Sequence, residues 1–388
     1  MLFTFAGGTG HFLPLVPIAR ASVAAGHAVA FAGQAGMVAA VEDSGFTAFD
    51  SGGPTLLDVS VRTPLLELDM DREVAALRDA YAGSVARERA ANLRELCADW
   101  RADVVVADEV DFGALVAAES LGLPYATVVT IGSGSFAWRD IVAEPLGILR
   151  AEHRLAPDPD LAMLHRYLVL SPFPPSFRNP ANPLPPTGHA IRPTFADRPA
   201  AEVDVERLVA GRSRPLVYVT LGTIFNLESG DLFERVLAGL SALDVEIVVT
   251  VGRELRPETL GAQPPNVHVR QYVPQSALLP ACDLSVSHGG SGSVVGALAH
   301  GVPMLLLPMG ADQPLNAARC DDLGVARVLD AFTATPGDVE RAAADVLGDG
   351  RYRRNAQRIA AEIAGLPGPE LGVRLLEEIV QCGRHRET

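Results

Sequence analysis

The chain contains no lysine: its 32 basic residues are all arginine, against 47 acidic ones, for a formal net charge of -15. Such an acidic balance excludes a nucleic-acid groove as the main function. Arginine in place of lysine, with abundant alanine, fits a GC-rich genome, so arginine enrichment is no sign of phosphate binding. Cysteine is scarce. Cys97, Cys282, Cys320 and Cys382 stand far apart with no CxxC pair, which excludes a disulfide or zinc framework and suits reduced thiols in a cytoplasmic protein. No cluster of Asp, His or Cys has metal-ligand spacing, so no bound metal is expected. No apolar run approaches the ~20 residues a membrane helix needs. No basic segment precedes the first apolar residues, so Leu2–Ala6 reads as a first strand rather than a signal peptide.

What is present is a long α/β pattern. The 388 residues, 48% hydrophobic, suffice for two domains that each bury a core. Strands are expected at Leu2–Ala6, Ala28–Ala32, Asp103–Ala107 and Tyr125–Val129, between helices at Leu15–Ala25, Gly36–Asp43, Asp71–Ala98 and Phe112–Leu121. Ser51–Asp69 lacks periodicity and reads as loop. Ser171–Pro199 is too rich in proline for a helix. The alternation restarts with strands at Leu216–Leu221, Glu246–Val251, His268–Gln271, Leu284–Ser287 and Met304–Leu307. Its helices are expected at Gly230–Ser241, Ser293–His300, Pro314–Leu323, Pro336–Leu347, Arg351–Ile363 and Pro369–Cys382. Alternation of this kind implies parallel sheets covered on both faces. The domains are therefore set at 1–195 and 213–367, joined by a linker at 196–212, with a final helix in 368–388. A ligand is expected in a cleft between them, at the carboxyl ends of the strands.

The densest stretch runs from Gln271 to Gln313 and centres on Ser287-His-Gly-Gly-Ser-Gly-Ser293. A strand leads into it and a helix leaves it. Such a junction exposes unpaired backbone N–H groups and the positive end of the helix dipole, a natural anion site. Gly289, Gly290 and Gly292 let a phosphate approach the backbone, His288 adds an imidazole donor, and Ser291 and Ser293 add hydroxyls or cap the helix. The plain alternative is a glycine turn with a capping serine.

With Tyr272-Val273-Pro-Gln275, His288-Gly-Gly290, Gly301-Val-Pro303 and Asp312-Gln313, the stretch resembles the donor signature of inverting glycosyltransferases with two Rossmann-like domains. These are the GT-B enzymes of glycosyltransferase family 1. The likeness runs through almost the whole chain and is nearest to the bacterial branch that glycosylates antibiotics. It implies two domains facing each other across a cleft, with the final helix bracing the first of them. It places the diphosphate at His288 and the following turn, the sugar hydroxyls at Asp312 and Gln313, the nucleobase beside Tyr272, and a phosphate contact at Thr223. Many UDP-sugar users of the family carry Glu at the position of Gly296 to hold the ribose. A deoxyribose lacks the 2′-hydroxyl, so Gly296 tilts the expected co-substrate from UDP- to dTDP-sugar, with no tightly bound cofactor.

Ala6-Gly-Gly-Thr-Gly-His11 follows the first strand and opens the first helix. It fails as a dinucleotide fingerprint: Leu13 stands where the third glycine belongs, and the second strand ends at Gly33-Gln34 without an acid. The resemblance places the catalytic base at His11, which can take the proton of an acceptor hydroxyl. Asp108, ending the strand Val104–Asp108, can orient that imidazole. Glu109 and Asp111 compete with it on sequence alone, and a helix-capping Asp is the plain alternative. The reaction implied is a single inverting displacement. Leu56–Leu77 and Gly132–Leu149 are expected to line the pocket of a hydrophobic aglycone such as a polyketide, with Phe136, Trp138, Ile141 and Leu146 as contacts. The partners are thus aglycone and sugar nucleotide; a homodimer stays open. Two other readings stand beside this one: a sugar-nucleotide epimerase or hydrolase of the same fold, and a non-catalytic relative that activates a partner enzyme.

Overall fold

A computed structural model describes residues 1–53, 62–134, 139–195, 205, 211 and 213–384. The chain divides into two units, one of residues 1–56, 70–196 and 365–388, the other of residues 57–69 and 197–364. In the first unit, strands β1 (Leu2–Thr4), β2 (Ala30–Gly33), β3 (Thr47–Asp50), β4 (Val105–Asp108), β5 (Tyr125–Val128), β6 (Leu168–Ser171) and β7 (Gly188–Ala190) form one sheet. Its order is β3-β2-β1-β4-β5-β6-β7, and every pair is parallel. The second unit has β8 (Leu216–Thr220), β9 (Glu246–Thr250), β10 (Val267–Arg270), β11 (Leu284–Ser287), β12 (Met304–Leu306) and β13 (Ala326–Val328). They run in the order β10-β9-β8-β11-β12-β13, again all parallel.

The central strands are buried along their whole length. This is why they read as unbroken apolar runs rather than as alternation: helices cover both faces. Phe3, Phe5, Phe12, Phe31 and Phe46 interlock in the first core at centroid distances of 4.9–6.3 Å. In both sheets the order reverses at the first strand. The reversal falls between β1 and β4 in one unit and between β8 and β11 in the other. Crossovers leave in opposite directions there, and the loops beyond the strand ends part to leave a crevice.

Several elements differ from expectation. Strands β3, β6, β7 and β13 were not anticipated. They are three or four residues long, and β3, β7 and β13 lie at sheet edges, where short strands carry little hydrophobic pattern. The long helix runs from Met70 to Trp100, but Ala76–Val85 is widened to π-helical pitch. A helix at Arg139–Glu152 holds Pro145 in its interior. Residues 62–69 pack with the second unit, not the first. The Thr63 amide donates to Leu227 O at 2.6 Å, the Gly230 amide donates to Thr63 O at 3.0 Å, and Arg62 forks onto Glu234 at 2.7 and 2.6 Å. The final helix, Glu370–Arg384, joins the first unit, with Leu376 wholly buried among residues of β5, β6 and the first helices.

Candidate functional site

The first switch point holds His11 and Asp108. His11 sits in a short helical turn, Thr9–Phe12, just past β1. Its Nδ1 lies 3.2 Å from Asp108 Oδ2 at the end of β4. Asp108 is wholly buried and held by backbone donors: Ala6 N–H to Oδ2 at 2.8 Å, and Val110 and Asp111 N–H to Oδ1 at 2.7 and 3.0 Å. These bonds aim a fixed carboxylate at the imidazole. Gly7 has φ +146°, and a Cβ there would overlap the His11 ring, 2.7 Å from Cγ. Only glycine leaves the ring this room. Tyr81, on the π-helical segment, stacks beside His11 at 6.4 Å. Burial, then the Asp108 charge, pushes its phenol up to about 12.

The structure separates the three neighbouring acids that sequence left in competition. Glu109 turns the other way and accepts the Thr130 and Ile131 amides on Oε1 at 2.7 and 2.6 Å. Asp111 caps the helix Phe112–Ser120 and pairs with buried Arg89 at 2.6 Å. Asp108 alone faces the imidazole.

The second switch point repeats one device on adjacent strands. Thr220 Oγ1 accepts the Gly222 amide at the end of β8, and Ser287 Oγ accepts the Gly289 amide at the end of β11, both at 3.3 Å. His288 lies between these turns. A Cβ on Gly222 would stand 2.7 Å from its Nε2, and one on Gly290 2.6 Å, so the imidazole is cradled by two bare backbones. Phe225 closes one side at 5.9 Å. Burial holds the imidazole down at about 4; it is neutral at pH 7, one N–H donor and one acceptor. The helix Ser291–Ala299 starts at the turn, with Ser291 buried, Ser293 half-buried and Gly292 exposed. Its first amides are unpaired within the helix and favour an anion. Thr223 is exposed just past Gly222.

Beyond β12, Asp312 stands at the head of the helix Gln313–Asp322. Its Oδ2 accepts from Ser291 Oγ at 2.6 Å and from Asn316 Nδ2 at 2.7 Å. The sequence thus brought Ser291 and Asp312 into one site but did not point to Asn316. The available signal was its position one helical turn after Asp312. Gln313 is buried and spends Oε1 on the Met309 and Gly310 amides at 2.8 and 3.2 Å, which shapes the loop before Asp312. Tyr272 is half-buried beyond edge strand β10, followed by buried Val273 and half-buried Gln275.

The acceptor candidates divide. Phe136 and Trp138 lie outside the described residues. Ile141 is half-buried and Leu146 wholly buried on the helix Arg139–Glu152. Leu66 and Leu68 line an apolar groove of about 240 Å³ in the second unit, with Pro308, Val328, Leu329 and Phe332. Among the described residues no group of His, Cys, Asp or Glu is arranged to hold a metal. No helix there is long and apolar enough to cross a membrane.

The neutral His288 has a consequence for stability. Its pKa is lowered from 6.5 to about 4, so between those values the unfolded chain binds a proton that the folded chain refuses. Stability from this group is full above pH 6.5 and is lost as pH falls toward 4. The loss at pH 5 is about 2 kcal/mol. Glu109, raised from 4.5 to about 7 by burial, acts with the opposite sign: its contribution is full below pH 4.5 and is lost as pH rises through 7. The wild-type profile is therefore partly flattened. Denaturant unfolding of His288→Asn at pH 5 and pH 7.5 should show the variant gaining about 2 kcal/mol on wild type at the lower pH; parallel profiles would mean that His288 is not buried neutral.

Two parallel sheets of this order, each with a ligand-type turn at its switch point, define the GT-B class of glycosyltransferase fold. Solved structures agree. The glycosyltransferase VinC in complex with dTDP aligns over 98% of this chain and 100% of its own, with TM-score 0.78 and 24% identity. The spinosyn forosaminyltransferase SpnP aligns over 98% and 99%, with TM-score 0.77 and 26% identity. Residues 234–379 match the erythromycin biosynthesis protein CIII-like C-terminal domain. L-demethylnoviosyl transferase of Streptomyces niveus is 31% identical, over 95% of each chain. The 4'-demethylrebeccamycin synthase of Lentzea aerocolonigenes is 29% identical, over 96% of this chain and 97% of its own. The chain belongs to the family of bacterial antibiotic glycosyltransferases that these relatives represent. It is an enzyme of the glycosyl-transferring class, which sets aside the non-catalytic reading.

Proposed function

We propose that the protein transfers a deoxysugar from a dTDP-sugar to a hydrophobic natural-product aglycone, with inversion at the anomeric carbon. The observation that carries this reading is the pairing of two strand-end sites: His11 against fixed Asp108 in one unit, neutral His288 in its glycine cradle beside Asp312 in the other. His11 Nε2 removes the acceptor proton, and Asp108 stabilises the imidazolium that forms. The acceptor oxygen attacks the anomeric carbon as the bond to the diphosphate breaks. Charge gathers on the leaving phosphate, where the His288 N–H, the turn amides of Gly289–Ser293 and the Thr223 hydroxyl can receive it. Asp312 and Gln313 hold sugar hydroxyls; Tyr272, Val273 and Gln275 border the nucleobase.

Two observations support dTDP over UDP. Gly296 offers no carboxylate to a 2′-hydroxyl. The relatives include a TDP-daunosamine transferase from Streptomyces peucetius and a spinosyn rhamnosyltransferase solved with thymidine diphosphate. The test is thermal unfolding against dTDP, UDP, GDP and NAD. A ligand at 100 times its Kd stabilises the fold by about 2.7 kcal/mol. The midpoint should rise with dTDP more than with UDP and stay unmoved with NAD. An equal or larger rise with UDP would remove the dTDP assignment; no rise with any nucleoside diphosphate would remove the donor site.

A further inference from the structure

Asn316 lies outside every motif read from the sequence, yet it joins two parts of the donor site. It is wholly buried. Its Nδ2 stands 2.7 Å from Asp312 Oδ2, 3.0 Å from Ser291 Oγ and 3.1 Å from Gly289 O. A carboxylate and a backbone carbonyl only accept, so the amide orientation is settled by its neighbours: the NH₂ group faces them. The Ser291 hydroxyl donates to the same Asp312 oxygen at 2.6 Å. One side chain thus ties the turn after β11, which offers its amides to phosphate, to the carboxylate after β12. The two turns come from neighbouring strands, and the two amide hydrogens of Asn316 are shared among acceptors on both.

We propose that Asn316 is a positioning residue that locks the phosphate turn and Asp312 together, so that diphosphate and sugar are gripped as one ligand. This rests on the donor-site reading above. The lock fixes Asp312 by one oxygen and sets where its carboxylate meets the sugar. Without it, Asp312 and the Gly289 carbonyl lose a buried donor, and the Ser291 hydroxyl is left to hold the turn to the carboxylate. The nucleotide still binds through its phosphates, but the sugar adds little.

The experiment compares the affinities of the purified protein for dTDP and dTDP-glucose, in wild type, Asn316→Ala and Asn316→Asp. In Asn316→Ala the affinity gained from the sugar should fall on the order of 10-fold or more, as expected for a buried bond to a charged group. Asn316→Asp keeps the shape but sets a second carboxyl against Asp312. At pH 8 the two repel; as pH falls they share a proton, and one donor bond returns. Its sugar-dependent affinity, relative to wild type, should recover about tenfold between pH 8 and pH 6. A merely structural residue would lower affinity without that recovery. A wild-type sugar increment in Asn316→Ala, or a loss in Asn316→Asp that does not change with pH, overturns the positioning role alone. Failure of wild type to bind either nucleotide overturns the donor site and this role with it.

Discussion

His11→Ala is expected to lower kcat by on the order of 10²–10⁴, the usual worth of a positioned general base. Nucleoside diphosphate binding should be unchanged, because its proposed contacts lie in the second unit. The acceptor hydroxyl ionises far above neutral pH, and no other side chain shown here pairs an imidazole with a buried carboxylate. Asp108→Asn should lose less turnover and more stability. Three backbone N–H groups converge on its two oxygens, and an amide there must turn an NH₂ toward at least one of them. Single-turnover rates with a fixed donor, read beside unfolding midpoints, separate the two effects. A His11→Ala enzyme retaining a third of wild-type turnover would remove His11 as base.

Gly290→Ala should lower kcat/KM by about 10²–10³, nearly as much as His288→Ala, because losing one donor to a developing oxyanion typically costs that much. The added methyl touches no substrate in this reading. It would stand 2.6 Å from His288 Nε2 and drive the imidazole from its cradle. Because the ring is packed against Phe225 on another side, it has little room to yield. Gly348→Ala, where a Cβ meets nothing within 4 Å, serves as the control for an added methyl. A Gly290→Ala enzyme as active as that control would show that the position of the imidazole is unimportant.

How much of this could be read beforehand follows from physical scale. The central strands β1, β4, β8 and β11 were legible because burial on both faces leaves long apolar runs. His288 was legible because it follows such a run directly, whereas His11, separated from its run by four residues, was named as base through the family likeness. The edge strands β3, β7 and β13 were not: three or four residues beside solvent carry no distinctive pattern. Residues 62–69 could not be placed because what holds them, backbone bonds to Leu227 and Gly230 and the Arg62 fork onto Glu234, joins partners far apart in sequence, which a local pattern does not reveal. Asp108 could be nominated over Glu109 and Asp111 only by likeness. What separates them is the direction each side chain leaves the chain, set by amides far away in sequence. Asn316 escaped for a similar reason: its partners Gly289 and Ser291 lie 27 and 25 positions away.

The route of the chain bears on how this enzyme could exchange parts with its relatives. Because residues 57–69 and 365–388 each lie with the unit opposite to their sequence neighbours, the backbone passes from one unit to the other four times. A hybrid made by a single crossover in 196–212 would inherit the Arg62 fork from one parent and Glu234 from the other. It would also inherit the terminal helix from one parent and the strands β5 and β6 it packs on from the other. Recombination that respects this protein must therefore move residues 57–69 with 197–364, and 365–388 with the first unit, as linked cassettes.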